Sequence, residues 1–73
     1  QTPIHFLIIP KKPFENIQNA QPEDREFFTH VFEMARHLSQ TIPGAKEFKL
    51  LMNNGYASGQ RVFHAHVHFM AGF

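Results

Sequence analysis

Three histidines alternate with apolar residues near the end of this 73-residue chain. Successive side chains of a β-strand point to opposite faces, so an extended backbone would place His64, His66 and His68 together on one face. The other face would be apolar and would consist of Phe63, Ala65, Val67 and Phe69. The alternation therefore predicts a strand with one face for the core and one face for chemistry.

Charge repulsion limits the protonation of such a row. Neighbouring rings would lie about 6.6 Å apart, which is two strand rises of about 3.3 Å. Two imidazolium charges at that separation repel by about 2.5 kcal/mol at an effective dielectric of ~20, so at least one ring is expected to be neutral. A neutral ring has a lone pair that can attack phosphorus or bind a metal, and a protonated neighbour can hold phosphate oxygens or protonate a leaving group.

Three interpretations of the row compete. Histidines that merely face solvent are the ordinary explanation of a single histidine, but three in strict alternation opposite an unbroken apolar face seldom arise by chance. A zinc site would need a third ligand such as His5 and carboxylates around it. No Asp or Glu lies near the row and the chain has no cysteine, which weakens the zinc interpretation without removing it. The third interpretation comes from a resemblance to a known family, described below.

The first half of the chain predicts a strand and a helix. Residues 4–9 are bulky and β-branched, as in a well-buried strand. Pro22 suits a first helical position, and the carboxylates that follow it complement the positive end of a helix dipole. Apolar residues then recur at spacings of three and four until about residue 40, which predicts a long amphipathic helix.

The second half predicts a hairpin. Residues 47–53 alternate between apolar and polar side chains, and Asn53, Asn54 and Gly55 are turn residues that lead towards a histidine strand over residues 61–70. We therefore predict an α+β fold, in which an antiparallel sheet of at least three strands has the long helix packed on one face.

Composition and charge argue against several classes of partner. The net charge is +1 and the basic residues are scattered, so a nucleic acid polymer is not expected. No apolar run approaches the roughly 20 residues that cross a bilayer, so no membrane is expected either. The absence of cysteine favours the cytoplasm. The chain starts at Gln1 instead of Met, with a strand-like run almost at once, so we expect a fragment of a longer protein.

Two segments of the chain resemble the histidine-triad family. His64-Ala65-His66-Val67-His68-Phe69-Met70 is similar to the family's signature, and Asn53-Asn54-Gly55 through Gly59-Gln60-Arg61-Val62-Phe63 is similar to the loop before it. The opening strand and the helix after Pro22 also fall where the family has a central strand and its long helix. The resemblance covers most of the chain and is closest to the nucleotide-binding branch, which hydrolyses nucleoside phosphoramidates and acyl-adenylates.

This resemblance implies a reaction and a set of roles. His66 would attack the α-phosphorus and become nucleotidylated, and His68 would contact the phosphate and the leaving group. His64 would orient the strand and the attacking ring, partly through its backbone carbonyl. Phosphate oxygens would be held by side chains and backbone amides of the loop, at Asn53, Gly59, Gln60 and Val62. A nucleoside monophosphate, AMP or GMP, would be cut from an amine, acyl or phosphate leaving group, with no cofactor required.

Other implications concern the edges of the site. Arg61 stands where relatives often have a small hydroxyl residue at the leaving group, so it is a candidate substrate contact. His5 is expected either as a further polar contact of the site or as a packed strand histidine satisfied by a neighbour. The alternatives to an enzyme are a zinc module and a nucleotide-binding protein without catalysis.

The resemblance also implies an assembly. The family's N-terminal helix and hairpin have no counterpart before Gln1, so residues 1–73 are expected to be the C-terminal, catalytic part of a domain. In the family the sheet continues across a homodimer, and we expect the same assembly here.

Overall fold

A three-stranded antiparallel sheet forms one layer of the molecule. The computed structural model describes residues 3–73, and the expectation of a processed start at Gln1 lies outside the described residues. The strands are β1, Ile4–Ile8; β2, Phe48–Leu51; and β3, Val67–Ala71. Their order is β1-β3-β2, so the strand that carries His68 is central and hydrogen-bonded on both sides.

One helix, α1, forms the second layer and spans Arg25–Thr41. The predicted start at Pro22 is three residues early, because the chain first makes a 3₁₀ turn over Pro22–Asp24. The Asp24 carboxylate accepts a hydrogen bond from the backbone N–H of Gln21 at 2.7 Å, which closes this turn. At the other end, the backbone N–H of Ile42 donates to the carbonyl of Leu38 at 3.0 Å before Pro43 stops the helix.

The core lies between α1 and one face of the sheet. Alternate residues of β3 are buried, with Phe69 and Ala71 at 0% exposure. The helix contributes residues at a spacing of four, namely Phe27, Val31 and Ala35. The predicted α+β fold, with an antiparallel sheet and a long helix on one face, is therefore confirmed. Within residues 3–73, no helix has the length and apolar character needed to cross a bilayer.

Two predictions about the strands are wrong. A well-buried strand was predicted for residues 4–9, but Leu7 is 57% exposed and Phe6 is 40% exposed. β1 lies at the edge of the described sheet, and of its residues only Ile8 is buried in the core. The histidine strand was predicted from residue 61, but β3 begins at Val67, and the chain bends over residues 62–64.

Candidate active site

The loop before the histidines is held in place by a buried glutamine. Gln60 is 1% exposed, and its amide nitrogen donates to the carbonyl oxygens of Glu15 at 2.7 Å and Val62 at 3.1 Å. Its side-chain oxygen accepts from the backbone N–H of Gly55 at 2.7 Å. Both amide hydrogens are therefore used inside the protein. The prediction that the Gln60 side chain holds phosphate does not fit this geometry, because it has no hydrogen left for a phosphate oxygen.

Two other loop residues predicted for the site lie next to each other. Gly59 has a φ of 110°, in the region that side-chain-bearing residues rarely adopt. A Cβ placed on Gly59 would lie 3.5 Å from Cγ of Asn53, so the Asn53 amide packs directly against the glycine backbone. The backbone N–H of Gly59 donates to the carbonyl of Tyr56 at 3.0 Å. This N–H therefore already has an acceptor inside the protein, whereas it was predicted to donate to a phosphate oxygen.

Arg61 turns back onto the loop. Its guanidinium donates to the carbonyl oxygens of Tyr56 at 2.9 Å and Gln60 at 3.2 Å. The guanidinium carbon lies 4.2 Å from the centre of the Tyr56 ring, a cation–π arrangement at the exposed surface. The structure thus assigns the Arg61 side chain protein partners, and its predicted contact with substrate stays a prediction.

The backbone N–H groups of residues 61–64 differ from that of Gly59 in their hydrogen bonding. No backbone or side-chain acceptor within residues 3–73 pairs with any of these four N–H groups. Val62 belongs to this stretch, is 59% exposed and was predicted to hold phosphate through its backbone. These four N–H groups are therefore candidate donors to an acceptor from outside the protein, such as an anion.

His64 orients the ring of His66 through its backbone. Nδ1 of His66 lies 2.7 Å from the carbonyl oxygen of His64. A carbonyl oxygen can only accept, so Nδ1 must carry the hydrogen. In the neutral ring, Nε2 of His66 then holds the lone pair. The side chain of His64 is exposed and lies in the bend over residues 62–64, so it does not belong to the same regular row.

His5 joins the histidines across the sheet. Nε2 of His5 lies 2.8 Å from Nδ1 of His68, and the two ring centres are 5.0 Å apart. The rings of His66 and His68 are 5.1 Å apart and nearly perpendicular. The three rings that lie together on this face are therefore His5, His68 and His66, in contrast to the predicted row of 64, 66 and 68.

The protonation of His68 follows from its surroundings. Partial burial lowers the pKa of His68, and the neighbouring His66 and His5 rings lower it further. The neutral ring is therefore favoured in the folded protein. The lone pair on Nε2 of His66 can attack an electrophile, and the neutral His68 ring beside it can transfer a proton.

The pKa of His68 also predicts how stability depends on pH. Because the folded-state pKa is below the ordinary value of about 6.5, the unfolded chain binds more protons just below that pH. The free energy of unfolding is therefore expected to decrease as the pH falls below about 6.5. Urea unfolding at several pH values should show a shallower decrease for His68→Asn. His37→Asn, an exposed change on α1, should keep the wild-type slope, and equal slopes for all three proteins would contradict the assignment.

A metal centre is not favoured by this geometry. Within residues 3–73, no three His, Asp or Glu side chains are grouped so that they could hold a metal ion. The facing nitrogens of His5 and His68 are 2.8 Å apart, whereas two nitrogens on one tetrahedral zinc lie about 3.3 Å apart. The pair is therefore arranged for a hydrogen bond, and the zinc interpretation has no support in the described residues.

His5, His66 and His68 do not line the largest of the described grooves. A groove of about 410 Å³ lies elsewhere, between the end of β1 and the start of α1, and its walls include Ile8, Lys12, Glu23, Phe27 and His30. His30 is the only histidine of that groove. The groove therefore does not belong to the candidate site.

The sequence did not reveal how the site is anchored. The backbone N–H of Ala65, just before His66, donates to the carbonyl of Phe14 at 2.6 Å. Asn54 fixes the same loop, because its side chain accepts from the backbone N–H of Ile17 at 2.7 Å and donates to Gln18 at 2.9 Å. The isolated apolar residues Phe14 and Ile17 in a polar stretch were the only sequence signal that this segment packs against the site.

Comparison with known proteins now places the chain in a family. The HIT domain model, which describes the histidine-triad fold, matches residues 1–73. The chain therefore belongs to the HIT domain family, and the resemblance noted in the sequence is confirmed at that level.

Particular relatives show how much of a HIT protein is present. An uncharacterized HIT-like protein of Synechocystis sp. is 39% identical over 72 residues, which cover 99% of this chain and 63% of that protein. A HIT family hydrolase of Legionella pneumophila has a TM-score of 0.87 at 32% identity, over 100% of this chain and 66% of that one. A HIT family hydrolase of Clostridium thermocellum also has a TM-score of 0.87 at 32% identity, with coverages of 99% and 64%. The chain thus spans slightly less than two thirds of these relatives.

Proposed function

We propose that this chain is the catalytic part of a nucleotide hydrolase or transferase that uses His66 as its nucleophile. The observation that carries the proposal is the contact between Nδ1 of His66 and the carbonyl oxygen of His64, 2.7 Å long, which leaves Nε2 as the nucleophilic nitrogen. The ring of His68 lies beside it with its neutral form favoured. Membership of the HIT family supports the assignment.

In the first step, the lone pair on Nε2 of His66 attacks the phosphorus of a nucleoside phosphate conjugate. A P–N bond to the ring forms while the bond from phosphorus to the leaving group breaks. The departing amine, carboxylate or phosphate takes a proton from Nε2 of His68, and the His68 ring stays neutral because its Nδ1 takes up another proton in the same step. The Nδ1–H of His66 continues to donate to the carbonyl of His64, and this bond strengthens as the ring becomes positively charged.

In the second step, a water molecule or another acceptor attacks the phosphorus. The P–N bond breaks, the electron pair returns to Nε2 of His66, and the proton of the water moves to Nε2 of His68 while the proton on Nδ1 of His68 is released. Both rings regain their starting states, and a nucleoside monophosphate is released. Splitting one substitution into two in this way is the general advantage of nucleophilic catalysis.

The backbone before His64 supplies donors for the phosphoryl oxygens. The N–H groups of residues 61–64 have no acceptor within residues 3–73, and they precede the nucleophile by only two to five positions. Fixed donors of this kind stabilise charge that develops on a phosphoryl group without having to reorganise. We assign anion binding to these amides and to Asn53, while Gln60 holds the loop from within.

The substrate class follows from the family resemblance. We propose AMP or GMP joined to an amine, acyl or phosphate leaving group, as in the phosphoramidate-hydrolysing branch. The experiment is incubation with adenosine 5′-phosphoramidate, with release of AMP measured by chromatography in the presence and absence of a chelator. Release that is insensitive to the chelator supports the proposal. Chelator-sensitive release would favour a metal enzyme, binding of AMP without release would favour a nucleotide-binding protein, and neither binding nor release would refute both.

We also propose that two copies of the chain associate through α1 and β2. β2 is the other edge of the described sheet, and an unpaired edge can continue into a second sheet. An apolar groove of about 210 Å³ runs beside it, lined by Phe28, Val31, Phe32, Leu50, Leu51, Met52 and Val67. Phe32 is 69% exposed on α1 in the single chain, and a second copy would cover this apolar side chain.

Phe32→Asp is expected to convert the dimer into a monomer. A carboxylate at a dry interface would be buried without a partner, which costs several kcal/mol and should raise the dissociation constant at least ~100-fold. Sedimentation velocity over a range of concentrations measures this change. Ile9→Asp introduces a carboxylate at a side chain of 66% exposure just after β1, at the opposite edge of the described sheet, and it should leave the dimer intact. A wild-type protein that stays monomeric, or a dimeric Phe32→Asp, would exclude this interface.

A further inference from the structure

We infer that Arg61, held against the ring of Tyr56, selects substrates whose leaving group carries an anion, either a carboxylate or a phosphate. This inference rests on the proposed function, because it concerns the leaving group of the same reaction. Both residues belong to the loop between β2 and β3. Arg61 is also the first residue of the stretch whose backbone N–H groups have no acceptor within residues 3–73.

One part of the Arg61 guanidinium is already used inside the protein. Nη1 donates to the carbonyl oxygens of Tyr56 at 2.9 Å and Gln60 at 3.2 Å, which accounts for both of its hydrogens. The guanidinium carbon lies 4.2 Å from the centre of the Tyr56 ring. The two carbonyls and the ring together restrict the orientation of the side chain.

The edge formed by Nε and Nη2 has no partner in the described part of the chain. These two nitrogens carry three of the five N–H groups, and none of the three donates to an acceptor within residues 3–73. Such an edge matches two oxygens of a carboxylate or a phosphate, to which it can donate two parallel hydrogen bonds. Arg61 therefore presents an oriented pair of donors for an oxyanion.

No carboxylate of the described residues neutralises this cation. The sequence has no Asp or Glu after Glu47, so neither the loop nor β3 supplies one. Neither of the two ion pairs found within residues 3–73 includes Arg61. The residue is exposed, so an anion can reach it from solvent. The positive charge of Arg61 is therefore available to a ligand.

The order of groups along the loop places Arg61 on the side of the leaving group. In the proposed reaction, the phosphoryl oxygens bind the N–H groups of residues 61–64, and Nε2 of His66 attacks from beyond the C-terminal end of that stretch. In phosphoryl transfer the leaving group departs roughly opposite to the nucleophile. Arg61 stands at the opposite, N-terminal end. An anion on the leaving group would therefore meet the unpaired edge of the guanidinium.

Three conjugates of AMP test this selectivity, and in each of them a primary amine is joined to phosphorus through its nitrogen. The amines are β-alanine, which carries a carboxylate; β-alaninamide, its neutral counterpart; and phosphoethanolamine, which carries a phosphate. The measured quantity is the kcat/KM of each anionic conjugate divided by that of the neutral one. Differences in the intrinsic reactivity of the amines are the same for every variant, so they cancel when this ratio is compared between proteins.

Arg61→Gln removes the charge and the paired donors from an exposed side chain. The ratio is expected to fall roughly 10-fold for an anionic conjugate, the scale of a hydrogen bond to a charged group, while the neutral conjugate changes less than about twofold. Arg36→Gln makes the same replacement at an exposed position on α1 and should keep the wild-type ratio. Added salt should lower the wild-type ratio by screening and leave that of Arg61→Gln unchanged.

Tyr56 is a positioning residue in this inference, and a second pair of variants tests it. Tyr56→Phe keeps an aromatic ring against the guanidinium and should keep the wild-type ratio. Tyr56→Leu keeps an apolar side chain but removes the ring face, so the ratio should fall roughly threefold, the scale of an exposed cation–π contact. A general disturbance of the loop would instead lower kcat/KM for all three conjugates alike and leave the ratio unchanged.

The outcomes separate this inference from the proposed function. A ratio that falls in Arg61→Gln and not in Arg36→Gln supports the inference, and the conjugate with the larger fall identifies the anion as carboxylate or phosphate. An equal loss on all three conjugates in Arg61→Gln would mean that Arg61 holds the phosphoryl group itself. That result, or an unchanged ratio, would overturn the inference and leave the proposed function standing. A wild type that releases AMP from none of the conjugates would refute the proposed function and this inference with it.

Discussion

His66→Ala is expected to lower the turnover of adenosine 5′-phosphoramidate by roughly 10⁴- to 10⁶-fold, the scale of loss when a covalent nucleophile is removed. The replacement removes the Nε2 lone pair, and no other ring of the group has its Nδ1 hydrogen fixed by a carbonyl within residues 3–73. The fold should survive, because the His66 side chain lies on the face of the sheet away from the core. Steady-state release of AMP and a circular dichroism melt of the same sample measure the two effects.

The covalent intermediate offers a direct check of the same assignment. Wild-type protein quenched in alkali during turnover should gain the mass of one nucleotidyl group on His66, because a P–N bond to imidazole is labile in acid and survives base. The matched control is His37→Ala, an exposed histidine on α1, which should keep both turnover and the adduct. Normal release of AMP by His66→Ala, or an adduct on another residue, would refute the role proposed for His66.

The main elements of the fold were predictable because local patterns specify them. Alternation along residues 65–71 and the spacing of Phe27, Val31 and Ala35 each identify the face that is buried. The pattern could not show that β1 is an edge strand. A run such as residues 4–8 has the same composition at the centre or the edge of a sheet, and only the strand order decides how many of its side chains are covered.

The sequence indicated that His66 and His68 share a face of the sheet, but it did not indicate which other side chains lie beside them. Alternation located His66 and His68 on one face, and the structure places both there. The bend over residues 62–64 then removes the His64 ring from the row, while β1 brings in His5 by a contact across the sheet. Neither event has a local signal in sequence, because both depend on pairing between distant segments.

Gln60 shows most clearly why a motif residue needs its structural partners to be interpreted. The position was predicted to hold phosphate, and a glutamine amide is chemically able to do so. Its two hydrogens instead join Glu15 and Val62, and its oxygen joins Gly55, so one side chain connects three segments of backbone. One of these bonds fixes the backbone of Val62, within residues 61–64. Gln60 therefore acts on the site from inside the protein.

Gln60→Glu is expected to destabilise the protein by about 3 kcal/mol at neutral pH, with little change in side-chain volume. A carboxylate at this position would face the carbonyl oxygens of Glu15 and Val62 at hydrogen-bond distance, and each buried acceptor left unsatisfied costs about 1–3 kcal/mol. The loss should diminish in acid. Repulsion raises the folded-state pKa of the introduced carboxyl above its unfolded value, so the protonated form, which can donate one hydrogen bond, restores stability as the pH falls through that pKa.

Urea unfolding of this variant at neutral and acidic pH tests the expectation. Gln40→Glu makes the same chemical change at an exposed position near the end of α1, and it should shift stability by less than about 0.5 kcal/mol at either pH. Because Gln60 bonds to the backbone of the loop whose amides we propose to bind the anion, Gln60→Glu should also raise KM for the phosphoramidate at temperatures where the variant is still folded. An equally stable Gln60→Glu would mean that water enters beside the side chain and that the loop does not depend on its three bonds.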